Sequence, residues 1–382
     1  MRAPIPVFLS LLAVLGLVWP ACRSAPAPVL PPPGAAPGGR VGAFSADAAW
    51  KHLEALAAIG PRASGTEGAA KARAYLREQL TSLGLEVVSR SATVSFDSGD
   101  EPDFELVNLE ATIPGDSPDL IVLAAPYDSA YQESFEYLGV NDGASGAALL
   151  LELARVIASN PLPYTVRFYF LDGEAPLGRG GAEDAESQLL GSMAAAIVLE
   201  SRQELAATRL LLLLNRVSDA DLRIARDRFS HRTYREAIWR AAAELGYVDS
   251  FPPAAEFDAP VAGHRSFIDR GMRRTVAIVD PNFGGEEAPD LADHSEEDTL
   301  DRSSPRSLEI VGRVTLASLE SITARIAKID RFSESHVVVE PEPRADPEPA
   351  PPADEAPPEA ESDAAPSGDS AGVERPQEAA AP

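Results

Sequence analysis

The stretch whose reading decides the fold runs from Leu120 to Ile157, LIVLAAPYDSAYQESFEYLGVNDGASGAALLLELARVI. Leu120 to Ala125 is a short, uninterrupted apolar run, the pattern of a strand buried on both faces of a parallel sheet. Gly146 to Ile157 carries Leu149, Leu150, Leu153 and Ile157 at helical spacing, with Asn141, Asp142 and Ser145 just upstream, where turns and caps belong. The segment therefore reads as strand, loop and helix. Its loop leaves the carboxyl end of a strand, the place where open α/β sheets bind ligands. Asp142 is an acid held near the helix start, either as a cap or as a ligand.

Working outward, the same alternation continues. Ser45 and Asp47 precede a helix bearing Trp50, Leu53, Leu56 and Ile59, ended by Gly60-Pro61. A second helix, about Gly68 to Leu83, stops at Gly84. Leu85 to Phe96 and Leu106 to Ile113 alternate as strands. Thr165 to Leu171 is another buried strand and runs into Asp172-Gly173-Glu174. A helix from Met193 to about Ala207, a strand Leu210–Leu214, a helix Thr233–Leu245, a strand Thr275–Val279 and a long helix Ser304–Ile329 complete the pattern. Strands alternating with helices imply one α/β domain, a mainly parallel mixed sheet sandwiched by helices.

At 382 residues and 45% hydrophobic content the chain can bury a sizeable core. Its formal charge of -26 argues against a nucleic-acid partner, because phosphate binding needs clustered Lys and Arg. Residues 1–22 read as a targeting segment: Arg2, an apolar run Val7–Trp19 too short for a comfortable span, then Pro20-Ala21-Cys22. Cys22 is the one cysteine, and small residues before it resemble a bacterial lipobox. The expectation is a lipid-anchored protein of the bacterial cell envelope, sorted to the outer membrane, with a secreted or periplasmic protein as the alternative. Residues 23–43 are rich in Pro, Ala and Gly and read as a tether, so the folded domain is expected over 44–336. Residues 337–382, with twelve acids against two bases, read as a disordered Pro/Glu/Ala tail.

Three segments carry a resemblance to a known family. VLAAPYDSAY followed by VNDGASGAALLLELARVI is similar to the metal-binding segment of the zinc aminopeptidase and glutaminyl cyclase family, metallopeptidase family twenty-eight, usually VLxAHYDS and GAxDNASGxAxLLELAR. IGPRASGTEGAAKARAYLREQLTSLGLEV resembles that family's amino-terminal GPRxxGSxGxxxAxxYLxxxLxxLG. ADHSEEDTLDRSSPRSLEIVGR resembles its terminal HTxEDTxDxxSPxSLxxVGR. The resemblance implies the three-layer zinc-exopeptidase fold. It also implies zinc ligation by Asp142 and His294 and proton transfer by Glu174.

Where the chain departs from the family is as informative. Pro126 stands in place of a ligating His, Ala175 in place of the ligating Glu that follows Glu174, and Asn215 in place of an Asp. A catalytic zinc wants three protein ligands and an open position, and here the resemblance supplies two, so one zinc ion is the most the site is expected to hold. Glu183, Asp184 and Glu186, in the insertion after Glu174, are candidate replacement ligands or a solvated acidic loop. Asp128 reads as a turn residue. His264, Phe283 and Asn215 are the expected substrate contacts, each from its place in a family motif.

Two functions follow. One is a catalytically impaired or silent relative that holds a peptide N-terminus or an envelope protein. The other is an active single-zinc glutaminyl-peptide cyclotransferase or aminopeptidase acting on peptide N-termini. The joint loss at positions 126, 175 and 215 favours the first.

Overall fold

In the computed structural model of the chain, the described residues are 38–95, 103–177, 189–257, 263–284 and 294–335. The expected targeting segment, most of the tether, the acids 183, 184 and 186, and the acidic tail lie outside them.

Helices α1 (Gly39–Ala43), α2 (Ala46–Ile59) and α3 (Glu67–Ser82) lead into strands β1 (Val87–Val94), β2 (Phe104–Ile113) and β3 (Ser117–Pro126). A kinked turn, Val140–Ala144, opens α4 (Ser145–Ser159), followed by β4 (Tyr164–Leu171), α5 (Leu190–Ser201) and β5 (Thr208–Asn215). Then come β6 (Arg226–Asp227), α6 (Arg232–Glu244), β7 (Glu256–Phe257), α7 (His264–Asp269), β8 (Thr275–Val279) and α8 (Pro305–Ser335). Six strands form one sheet in the order β1-β2-β4-β3-β5-β8. β1, β2 and β4 pair antiparallel, whereas β4, β3, β5 and β8 run parallel. β6 and β7 make a separate two-residue parallel pair.

The continuous apolar run of β3 is buried on both sides, as its pattern requires. Ile121, Leu123 and Ala125 join the large core that includes α2, α3, α4, α6 and α8. Leu120, Val122 and Ala124 join the smaller core under α5 and α7. Leu149, Leu150 and Leu153 of α4 have no exposed surface; truncating one such side chain to Ala costs about 2–5 kcal/mol. Gly146 lets α4 approach β5 closely, since a Cβ there would run into the Leu214 carbonyl.

Three boundaries differ from the sequence pattern. The domain begins within the expected tether: Val41 is buried, and Arg40 donates to the carbonyls of Asn160 and Pro161, both at 2.6 Å, which secures α1. α5 ends at Ser201 rather than near 207, because Gln203 takes a left-handed backbone (φ 59°) that a helix cannot continue. α8 runs six residues past Ile329, as no Gly or Pro intervenes.

Candidate functional site

Parallel strands β3, β4 and β5 deliver the chain to one edge of the sheet, and Pro126, Asp172 and Asn215 mark their carboxyl ends. The kinked turn before α4 lies against this edge. Its geometry comes from Asp142 (φ -88°, ψ 108°) and Gly143 (φ 96°), which interrupt the helical winding. Gly143 is required twice over, by its left-handed backbone and because a Cβ would run into the Asp128 carbonyl.

Asp142 does not cap α4: the residue at the cap position is Ala144, with no side-chain cap. Its carboxylate points instead to the site. Oδ1 accepts the Asn215 amide at 2.8 Å. Oδ2 lies 3.1 Å from His294 Nε2 and 3.3 Å from Arg216 Nη2. Burial pushes the Asp142 carboxyl up, but the Arg216 charge, His294 and the Asn215 amide together outweigh it and hold the group well below the usual carboxylate range. Arg216 and His294 both have left-handed backbones, φ 52° and 51°, two of the four described non-glycine residues that do. Such backbones persist only where surrounding structure enforces them, and they gather at functional sites.

Asp298 organises the loop from behind. It accepts the Asn141 amide at 2.6 Å, the Asp142 amide at 3.1 Å and the Tyr137 hydroxyl at 3.0 Å. Burial pushes its carboxyl up to about 6 despite those donors. Tyr137 in turn sets its ring edge-to-face on His294, centroids 5.8 Å apart. Arg62, fully buried, ties the intervening loop by donating to the carbonyls of Tyr127, Leu138 and Gly139. The sequence pattern marks neither Asp298 nor Arg216 as a site residue. Asp298 was in view inside HSEEDT, but an acid among acids carries no sign that it alone turns inward.

A second group of acids sits at the ends of β3 and β4. Asp172 accepts from Ser64 Oγ at 2.6 Å and the Val107 amide at 2.9 Å. Asp128 is buried: Oδ2 accepts the Ala175 amide at 3.0 Å while Oδ1 has no hydrogen-bond partner among the described residues. Glu174 accepts the Ser192 amide at 2.5 Å, and its other oxygen occupies the space a Cβ at Gly263 would fill. Burial pushes Glu174 up to about 7. Burial likewise raises Asp128 and Asp172, and the mutual repulsion of the two adds to the rise at Asp128.

The structure thus joins Asp142, His294 and Asn215 directly and adds Arg216. Glu174 is engaged by Ser192, next to Gly263 and Leu213 of β5. His264 and Phe283 have no exposed surface, and His264 Nε2 is 2.9 Å from Asp227 Oδ2.

Zinc can be tested against this donor set. Asp142 and His294 are side by side, but Pro126 and Ala175 offer no side-chain donor, and a guanidinium already sits on the Asp142 oxygen that His294 faces. Among the described residues no group of three or more His, Cys, Asp or Glu is placed to hold a metal ion. The described residues do not fit a catalytic zinc.

Comparison with known proteins accounts for the scaffold. A glutaminyl cyclase from an Acidobacteriales bacterium superposes with a TM-score of 0.68 at 27% identity, covering 79% of this chain and 99% of that one. The Porphyromonas gingivalis glutaminyl cyclase gives 0.64 at 25% identity, covering 73% and 98%. A zinc-dependent exopeptidase from Parabacteroides distasonis shares the fold, with a TM-score of 0.63 at 22% identity, covering 73% and 98%. In sequence, 130 residues are 29% identical to a glutaminyl-peptide cyclotransferase of Drosophila melanogaster, 33% of this chain and 36% of that protein, so the chain matches about a third of that relative's length. Residues 108–319 match peptidase family M28. With its zinc-exopeptidase sheet and the motifs around Asp142 and His294 in place, the chain belongs to peptidase family M28, in the glutaminyl-cyclase-like branch.

Proposed function

We propose that this chain is a catalytically silent member of the family, held in the bacterial cell envelope by lipid on Cys22, which binds a peptide N-terminus without converting it. The observation that carries the reading is the Arg216 guanidinium, 3.3 Å from Asp142 Oδ2. It supplies from within the chain the positive charge that a metal would bring. A carboxylate and an imidazole remain at the cleft as hydrogen-bonding groups for an amine or amide. Beside them, a cavity of about 230 Å³ lined by Pro61, Ala63, Glu67, Tyr131, Phe135 and Tyr137 offers room for an apolar side chain next to an acid.

The test is elemental analysis of the purified full chain together with turnover of a peptide beginning with Gln. The expected result is zinc far below one per chain and no cyclised product. One zinc per chain, lost on Asp142→Ala or His294→Ala and accompanied by cyclisation, overturns it. That second reading, an active cyclotransferase, has one observation in its favour: a carboxyl at about 7, as on Glu174, is matched to proton transfer near neutral pH. The anchor is tested separately by labelling cells with a fatty acid; label that survives Cys22→Ser removes it.

A further inference from the structure

The edge of the sheet opposite the site carries charge of the other sign. α8 runs from Ser304, whose amide donates to Ser218 near the site, down to this edge, where Asp330 meets Arg209 at the start of β5. α6 and β8 both begin here, since the His231 amide donates to the Thr275 carbonyl at 2.8 Å. Their ends bring together Arg232, Arg273, Arg274, Arg325 and Lys328, all exposed. Burial depresses the His231 imidazole, and the charges of Arg274 and Arg325 depress it further. None of the five bases forms an ion pair among the described residues. Three acids near this edge are engaged elsewhere: Asp119 and Asp330 both on Arg209 at 2.5 Å, and Glu320 on Arg40 at 3.0 Å. In a chain of net charge -26, so many unmatched bases on one edge are not a general surface property. The last turns of α8 add apolar surface, with Ile329 and Phe332 50% and 64% exposed between Arg325, Lys328 and Arg331.

The chain also enters the domain at this edge. Arg40 of α1 bonds to Asn160 and Pro161, at the end of α4 and just before β4 begins. We infer that this edge is a membrane-docking face, on which Arg232, Arg273, Arg274, Arg325 and Lys328 engage the anionic headgroups of a phospholipid surface and turn the Asp142 cleft away from it. Exposed bases interleaved with apolar side chains are the signature of an interfacial contact, and each base near an anionic surface strengthens binding about fivefold. The inference borrows only its direction from the lipid-anchor reading. It holds whether or not the cleft turns over substrate.

The experiment is co-sedimentation of the full chain carrying Cys22→Ser, so that no lipid is attached, with vesicles of phosphatidylglycerol and phosphatidylcholine or of phosphatidylcholine alone. Binding is expected to the anionic vesicles and to fall steeply between low and physiological salt. Arg274→Glu/Arg325→Glu should weaken it at least about twentyfold, whereas Lys71→Glu on α3, the same charge change per residue away from this edge, should leave it within twofold. Circular dichroism of each variant shows that the fold is kept; if the double variant unfolds, Arg273→Gln/Lys328→Gln replaces it. Equal binding to both vesicle types, or anionic binding untouched by the substitutions, overturns the inference. So does a charge-dependent dimer in place of vesicle binding. Failure here leaves the zinc and cyclisation results unaffected.

Discussion

Two groups of acids at the same edge of the sheet meet burial in opposite ways. Asp142, at the start of α4, has Arg216 and His294 on one oxygen and is held ionised. Asp128, Asp172 and Glu174, at the ends of β3 and β4, have amide and hydroxyl donors; Arg73 lies 3.5 Å from Asp172, but burial outweighs it and pushes all three upward. A buried carboxylate without a cation must acquire one or give up its charge. The group at the start of α4 took the first course and the group at the ends of β3 and β4 the second.

The sharpest way to break that contrast is Arg216→Met. It strips Asp142 of its cation and should cost about 3 kcal/mol, the scale for breaking a largely buried pair from one side, read by urea unfolding at pH 7. A loss under about 1 kcal/mol would show that Asp142 does not depend on this charge. Asp298→Ala comes next, since it leaves the Asn141 and Asp142 amides and the Tyr137 hydroxyl without their acceptor. About 2 kcal/mol is expected, with the His294 ring signal shifting in NMR as Tyr137 loosens.

The titration of the second group gives a smaller and oppositely signed effect. Glu174 has a folded value of about 7 against an ordinary 4.5, so the folded state binds the extra proton. Its contribution is complete below pH 4.5 and disappears as pH rises through 7. Asp298 and Asp280, both pushed up by burial to about 6, act in the same sense. Asp142 acts in reverse, contributing above pH 4 and losing that contribution as pH falls. Stability should therefore peak below pH 4.5 and decline toward pH 8, with Glu174→Gln flattening the decline by about 2 kcal/mol. A profile unchanged by that substitution would mean Glu174 is ionised in the folded state at neutral pH. The smallest effect belongs to Asn215→Ala, about 1 kcal/mol, because Asp142 keeps its cation when the 2.8 Å amide bond goes.

The fold was legible because burial leaves a periodic trace. The apolar run of β3 and the stripe of α4 fall where the pattern puts them, and β8 matches Thr275–Val279 residue for residue. Elements failed at their ends, where Gln203 and Arg40 act through backbone conformation and distant carbonyls that no local pattern encodes. In the site, Asp142, His294 and Asn215 were visible as members of motifs. Arg216 was not, although it follows Asn215 directly, because a basic residue after a strand is ordinary until its left-handed backbone turns it back onto Asp142.

By itself, the order of residues determined the layered α/β scaffold, the family to which it belongs and the positions where it departs from that family's motifs, since hydrophobic period and side-chain identity are properties of the chain alone. Only the folded molecule decided which groups surround Asp142. Ion pairing and desolvation depend on which groups meet in space, and Arg216 and His294 reach Asp142 from 74 and 152 residues away. For the same reason, the five exposed bases drawn from α6, α8 and the approach to β8 become one face only when the sheet brings those ends together.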